Sequence, residues 1–155
     1  MAKLGTFALF NASIGLSLAP LALVGGPIII KAAAYTAGIV GSLAMVAANS
    51  PSDQFLWMGG PLAIGLGAVF VSSLGAAFLP ASMAVVPLLH NVSLYGGLAV
   101  FSGFVLYDVQ RIQGQAAALP EEAWDPINQS IHIYLDSINI FVRMVSILAG
   151  GNRRK

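Results

Sequence analysis

The stretch INQSIHIYLDSINIFVRMVSILAGG, residues 127–151, decides the architecture. It is apolar over the roughly 20 residues that a helix needs to cross a bilayer. Asp136 nevertheless stands near its middle. A carboxylate at that depth costs roughly 2.5–3.5 kcal/mol on insertion scales, and more on an isolated helix. Such a group turns toward protein or a water-filled path, and it takes a partner. Asp108 is the candidate, near the end of YGGLAVFSGFVLYDVQRIQ, residues 95–113.

Composition agrees with this reading. Of 155 residues, 57% are hydrophobic and 8% charged, where a soluble domain carries about 25% charged residues. The mean hydropathy is +0.84. These values predict an all-α, polytopic membrane bundle whose surroundings are the lipid bilayer. A net charge of +1 offers no field for nucleic acid. The absence of cysteine excludes disulfides, thiol catalysis and cysteine metal sites.

One transmembrane domain, 1–155, with about five spans follows: 4–24, 28–48, 55–79, 92–113 and 127–148. Gly25-Gly26-Pro27 breaks the first span from the second, and Asn49-Ser50-Pro51-Ser52-Asp53 closes the second. Pro80 closes the third, and Pro61 near its start fits a first turn or forces a kink. The segments are too long for barrel strands and do not alternate. Gly38, Gly41, Gly65, Gly67, Ser72, Ser73, Gly75, Gly96, Gly97 and Gly103 read as small residues that let helices approach closely. The first twenty-odd residues read as a retained span, since a lone Lys3 and an overlong apolar core do not make a signal peptide. The three Asn-X-Ser sequons, at Asn11, Asn91 and Asn128, lie too close to lipid to serve as acceptors.

Alternate threading places the amino terminus, the 49–53 connection and the 114–126 connection on one side. That side holds Lys3, Arg111, Asp53, Glu121, Glu122 and Asp125. The other holds Lys31, Arg153, Arg154 and Lys155, which predicts the carboxyl terminus on the positive-inside face.

The same threading makes the last two spans antiparallel neighbours. With boundaries near Gly114 and Pro126, Asp108 lies about 9 Å and Asp136 about 15 Å inside one surface, and a small tilt brings them level. Two carboxylates in hydrogen-bond reach do not both ionise cheaply. Such a pair holds one proton, or exchanges it for a hard cation that prefers oxygen ligands. His132, Asp136, Asn139 and Arg143, spaced four, three and four apart, form a polar stripe on one face of the last span. The stripe reads as a cavity lining or a buried network. For His132 an interfacial position is the competing reading, for Arg143 a side chain snorkelling to the terminus, and for Asp108 a salt bridge to Arg111. Enzyme chemistry is not expected: no zinc motif or Ser-His-Asp arrangement occurs. LYDV and YLDS also lack the glycines of an intramembrane aspartyl protease.

LYDVQRI (106–112) followed by DPINQSIHIYLDSINIF (125–141) resembles the carboxyl-terminal signature of the Bax inhibitor family of membrane proteins. The likeness is strongest to its mitochondrial inner-membrane branch. It extends through APLALVGGPIIIKAAAYTAGIVGSLAMVA (19–47), FVSSLGAAFLP (70–80), LYGGLAVF (94–101), WDPINQSI (124–131) and GGNRRK (150–155), nearly the whole chain. The resemblance implies a seven-helix bundle with a central helix wrapped by the others, of which this chain would be a fragment lacking one or two amino-terminal spans. It implies that Asp108 and Asp136 form a proton-sensitive latch on a calcium path. Calcium and protons would then be the transported ions, with no resident cofactor. It further implies calcium leak or calcium/proton exchange, the carboxyl terminus in the matrix, and protein partners in cristae organisation and control of apoptosis.

Three departures stand out. The family arginine that pairs with the latch from the second helix has no counterpart here, nor does an Arg-rich, Ser-rich presequence. Arg143 is the third. It stands about 10.5 Å along the helix from Asp136, so a route through Asn139 or water is easier than a direct ion pair. If it partly neutralises the acids, it weakens calcium binding and favours proton coupling, and an Arg143→Leu chain with unchanged pH dependence of flux would refute that.

Overall fold

A computed structural model describes residues 2–51, 53–120 and 124–152. Six α-helices follow one another, with no strand among the described residues: α1 (Ala2–Leu18), α2 (Gly26–Asn49), α3 (Gly59–Phe78), α4 (Val86–Asn91), α5 (Gly97–Ala118) and α6 (Pro126–Asn152). A 3-10 turn, Ala19–Val24, prolongs α1, and another, Leu56–Met58, leads into α3. A π-helical turn, Val92–Gly96, joins α4 to α5, so that 86–118 is one continuous helical rod. Five helical segments are thus long and apolar enough to cross a membrane.

Proline sets most of the ends. Ser50, Leu79 and Leu119 each end a helix in extended conformation, with ψ of 157°, 143° and 141°. Each precedes a proline, whose Cδ excludes the helical region at the residue before it. Pro27 and Pro87 sit in first turns, where the missing N–H costs nothing. Pro61 also falls in a first turn, so α3 needs no kink there. At the bend before α2, Gly25 has φ 107°, a conformation that a side chain would strain. Asp125 caps α6: its Oδ1 accepts the Asn128 N–H at 3.4 Å and Pro126 is the first helical residue.

The helices differ most from the expected spans around the fourth. The helix there begins at Val86 rather than Val92 and runs to Ala118 rather than Gln113. Gln115 reads as part of the polar 114–126 connection, yet polarity marks the water boundary and not the end of a helical backbone.

The α5 rod is the most enclosed element, with 33% of its most apolar stretch buried against 0–17% for the other spans. It contacts α2, α3 and α6. Val105 of α5 and Ile140 and Val145 of α6 are fully or almost fully buried. Against α3 the approach is close because side chains are missing: a Cβ on Gly103 would stand 2.6 Å from Leu62, and one on Gly65 would stand 2.9 Å from Val100. Gly38, Gly41 and Gly67 face open space instead, so small residues mark helix contacts on α3 and α5 but not on these faces. Large apolar side chains such as Ile64, Phe70 and Val71 point outward, where the bilayer is their solvent. Serine and asparagine hydroxyls and amides along the spans donate back to carbonyls one turn earlier, as Ser73 does to Val69 and Ser137 to Ile133. That local bond satisfies a polar group where no water reaches it.

Three segments meet at one end of the bundle, as alternate threading requires. The Lys3 ammonium pairs with Asp125 at 2.9 Å. Gln110, wholly buried, donates to the Pro51 carbonyl and accepts the Phe55 N–H, each at 2.7 Å, fixing the 49–55 connection to the end of α5. Glu121, Glu122, Arg153, Arg154 and Lys155, on which the charge-based orientation leans, lie outside the described residues.

Candidate functional site

Asp108 and Asp136 come from antiparallel helices and are both buried, at 6% and 7% exposure. Both line the same cavity. An ionised carboxylate has no donor, so a bond between the two requires one proton shared by the pair. Asp136 Oδ2 is buried without a hydrogen-bond donor among protein atoms. An acceptor left in that state inside an apolar bundle is costly unless a proton or a cation meets it.

Both acids open into one cavity of about 390 Å³ between α3, α5 and α6, which Tyr107, Arg111, His132 and Asn139 also line. His132 is exposed at the end nearest the start of α6, while Asn139 lies deeper. Three members of the polar stripe thus share the cavity with Asp108, because one face of α6 is turned toward α5. Arg111 lines it too, and no salt bridge joins it to Asp108 among the described residues.

The fourth member, Arg143, turns away from the acids. Its Nη1 donates to both the backbone carbonyl and the Oδ1 of Asn139, each at 3.2 Å. Its Nε donates to the Ser93 carbonyl at 3.3 Å, and its guanidinium lies 4.7 Å from the centre of the Phe101 ring. Ser93 can accept because a carbonyl has two lone pairs and the Gly97 N–H uses only one. The direct Arg143–Asp136 ion pair is absent among the described residues, and the Asn139 contact is present. Ser93 and Phe101 were not read from the sequence as part of the site, and Gly97 was read only as a small residue for helix approach. Phe101 could have been: setting Asp108 opposite Asp136 puts residue 101, two turns back, opposite residue 143. A backbone acceptor and an absent side chain leave no such signal.

The donor set suits a cation in transit better than a resident metal. No group of three or more His, Cys, Asp or Glu side chains converges among the described residues. Calcium takes six to eight oxygens. Two carboxylates supply at most four, and Asn139 Oδ1 already accepts from Arg143, so water would complete the shell.

Five long apolar helices packed into one bundle define a polytopic α-helical membrane protein. The family model described as "Inhibitor of apoptosis-promoting Bax1" matches residues 1–154. The chain belongs to that family. It is 47% identical over 150 residues to the growth hormone-inducible transmembrane protein of Rattus norvegicus, covering 95% of this chain and 43% of that protein. It is 32% identical over 157 residues to Bax inhibitor 1 of Rattus norvegicus, covering 99% and 63%, and 31% identical over 141 residues to Bax inhibitor 1 of Schizosaccharomyces pombe, covering 90% and 49%. The chain therefore spans about half the length of these relatives. No solved structure matches it.

Proposed function

We propose that this chain carries the ion-handling part of a calcium/proton exchanger or pH-gated calcium channel of the mitochondrial inner membrane, and that it is not an enzyme. One observation supports this most: Asp108 and Asp136 are buried together in a shared cavity with no basic side chain bonded to either among the described residues. A pair meant only to join two helices would be a costly device, since an apolar contact does the same without desolvating a carboxylate. Protons and calcium compete for the two carboxyls in this scheme. Protonation releases calcium, and deprotonation loads or opens the site. His132 and Arg111 at the cavity mouth set the field through which a cation enters. The carboxyl terminus lies in the matrix.

A second reading follows from the family's association with apoptosis. In it the chain is a regulatory or structural membrane protein of apoptosis control and cristae organisation. Its connections then bind protein partners, and the acids hold α5 against α6.

Calcium flux into proteoliposomes, with and without an imposed pH gradient, separates the two. Under the first reading Asp136→Asn abolishes gradient-driven flux while the chain stays folded. Flux that ignores the gradient identifies a leak channel, and a folded chain with no flux at all leaves the regulatory reading standing.

A further inference from the structure

The groove between the α4–α5 rod and α6 holds two cavities rather than one. The first contains the acid pair. The second, about 340 Å³, lies at the other end of the same groove, between His90, Asn91 and Tyr95 on one side and Ser146 and Gly150 on the other. Along α6, Asn139 lines the first cavity and Ser146 the second. They are about 10.5 Å apart on the helix axis, and Arg143 lies between them.

That interval is occupied by the guanidinium. It is held across the groove by Ser93 on one wall and Asn139 on the other, with its face on Phe101. Gly97 makes the room, because a Cβ there would overlap the guanidinium. No carboxylate pairs with Arg143 among the described residues. A snorkelling arginine would instead have carried its charge toward the nearby carboxyl terminus. This one is bonded sideways, across the line joining the cavities. An arginine keeps its charge in a protein, and at short range in a low-dielectric interior that charge repels a cation strongly.

We propose that Arg143 is a cationic plug that separates the two cavities and sets the rate at which cations pass between them. The π-helical turn supplies its socket: the Ser93 carbonyl within the turn and Gly97 just beyond it both face the guanidinium. The proposal rests on the transport reading above for its biological meaning, but not for its test.

The chain has no cysteine, so Ser146→Cys gives a single thiol in the second cavity. The full chain is placed in oriented vesicles, and cationic or anionic membrane-impermeant thiol reagents of equal size are added at the α5–α6 connection side. With Arg143 in place, modification by the cationic reagent is slow and slower than by the anionic one. Arg143→Gln is expected to speed the cationic reagent by about tenfold or more and the anionic one much less, because the barrier removed is one of charge. Gly97→Ala, which expels the guanidinium without altering the charge of the chain, is expected to speed modification and serves if Arg143→Gln does not fold. Unchanged rates, or equal acceleration of both reagents in Arg143→Gln, would overturn the proposal. Calcium flux measured on the same vesicles keeps the two ideas apart. Selective opening without any calcium flux sinks the transport reading alone, whereas Asp136-dependent flux with labelling indifferent to Arg143 sinks the plug alone.

Discussion

Gln110 shows how much one side chain secures in this molecule. It is wholly buried and satisfies two backbone groups of the 49–55 connection. Gln110→Leu keeps the volume and leaves the Pro51 carbonyl and the Phe55 N–H unpaired, at about 1–3 kcal/mol for each. Its unfolding midpoint in a mild detergent titrated with dodecyl sulfate is expected to fall clearly below that of the parent chain. A Gln110→Leu midpoint within error of the parent would mean that water replaces both bonds. At this scale the candidate site was legible only in part. Helical spacing alone put His132, Asp136, Asn139 and Arg143 on one face, and expense marked Asp136 as the residue to explain. Gln110 gave no signal, because a glutamine beside Arg111 near a span end looks like any interfacial residue. Its partners are main-chain groups, which carry no residue type to read.

Among the elements, α3 and α5 test the role of missing side chains. Gly103→Ala adds a methyl where Leu62 already stands, and overpacking of this kind costs about 1–3 kcal/mol. Leu62→Ala alone opens a cavity and costs about 2–5 kcal/mol. Combined, the two are expected to cost less than their sum, and strict additivity in the same unfolding assay would show that the helices do not meet there. The number of spans and their type could be read from the chain because hydropathy over twenty residues is a strong signal and proline punctuates it. The start of α4 and the π-helical turn could not. One extra residue in a turn leaves no compositional trace. Gly65 and Gly103, read as small residues for helix approach, stand where α3 meets α5, whereas Gly38, Gly41 and Gly67 meet nothing within 4 Å.

In the molecule as a whole, α1 is the loosest part, with none of its most apolar stretch buried. It is fastened by the Lys3–Asp125 pair and by an edge contact of Phe10 with Tyr134 at 6.4 Å. The hydrogen bond from Lys3, helped by the Asn128 N–H, holds the Asp125 carboxyl below the usual carboxylate range. A lowered value in the folded state means that the fastening is fully present above the unfolded value of about 3.9. It is lost as the pH falls through the folded value. Spin labels on cysteines at Gly5 and Ser130 are expected to report one short distance at neutral pH. The distribution should broaden in strong acid, in Asp125→Asn, and in about 1 M salt, where screening is nearly complete. A narrow distribution in Asp125→Asn would show that Phe10 and Tyr134 suffice.

The Gln110 staple also makes the acid pair observable from a distance. Gln110 is two residues from Asp108 on a single rigid rod, so any turning of α5 that parts Asp108 from Asp136 must swing the 49–55 connection as a handle does. A dye at Asp53, well outside the apolar layer, would then register each opening of the pair, and an antibody gripping that connection would jam it.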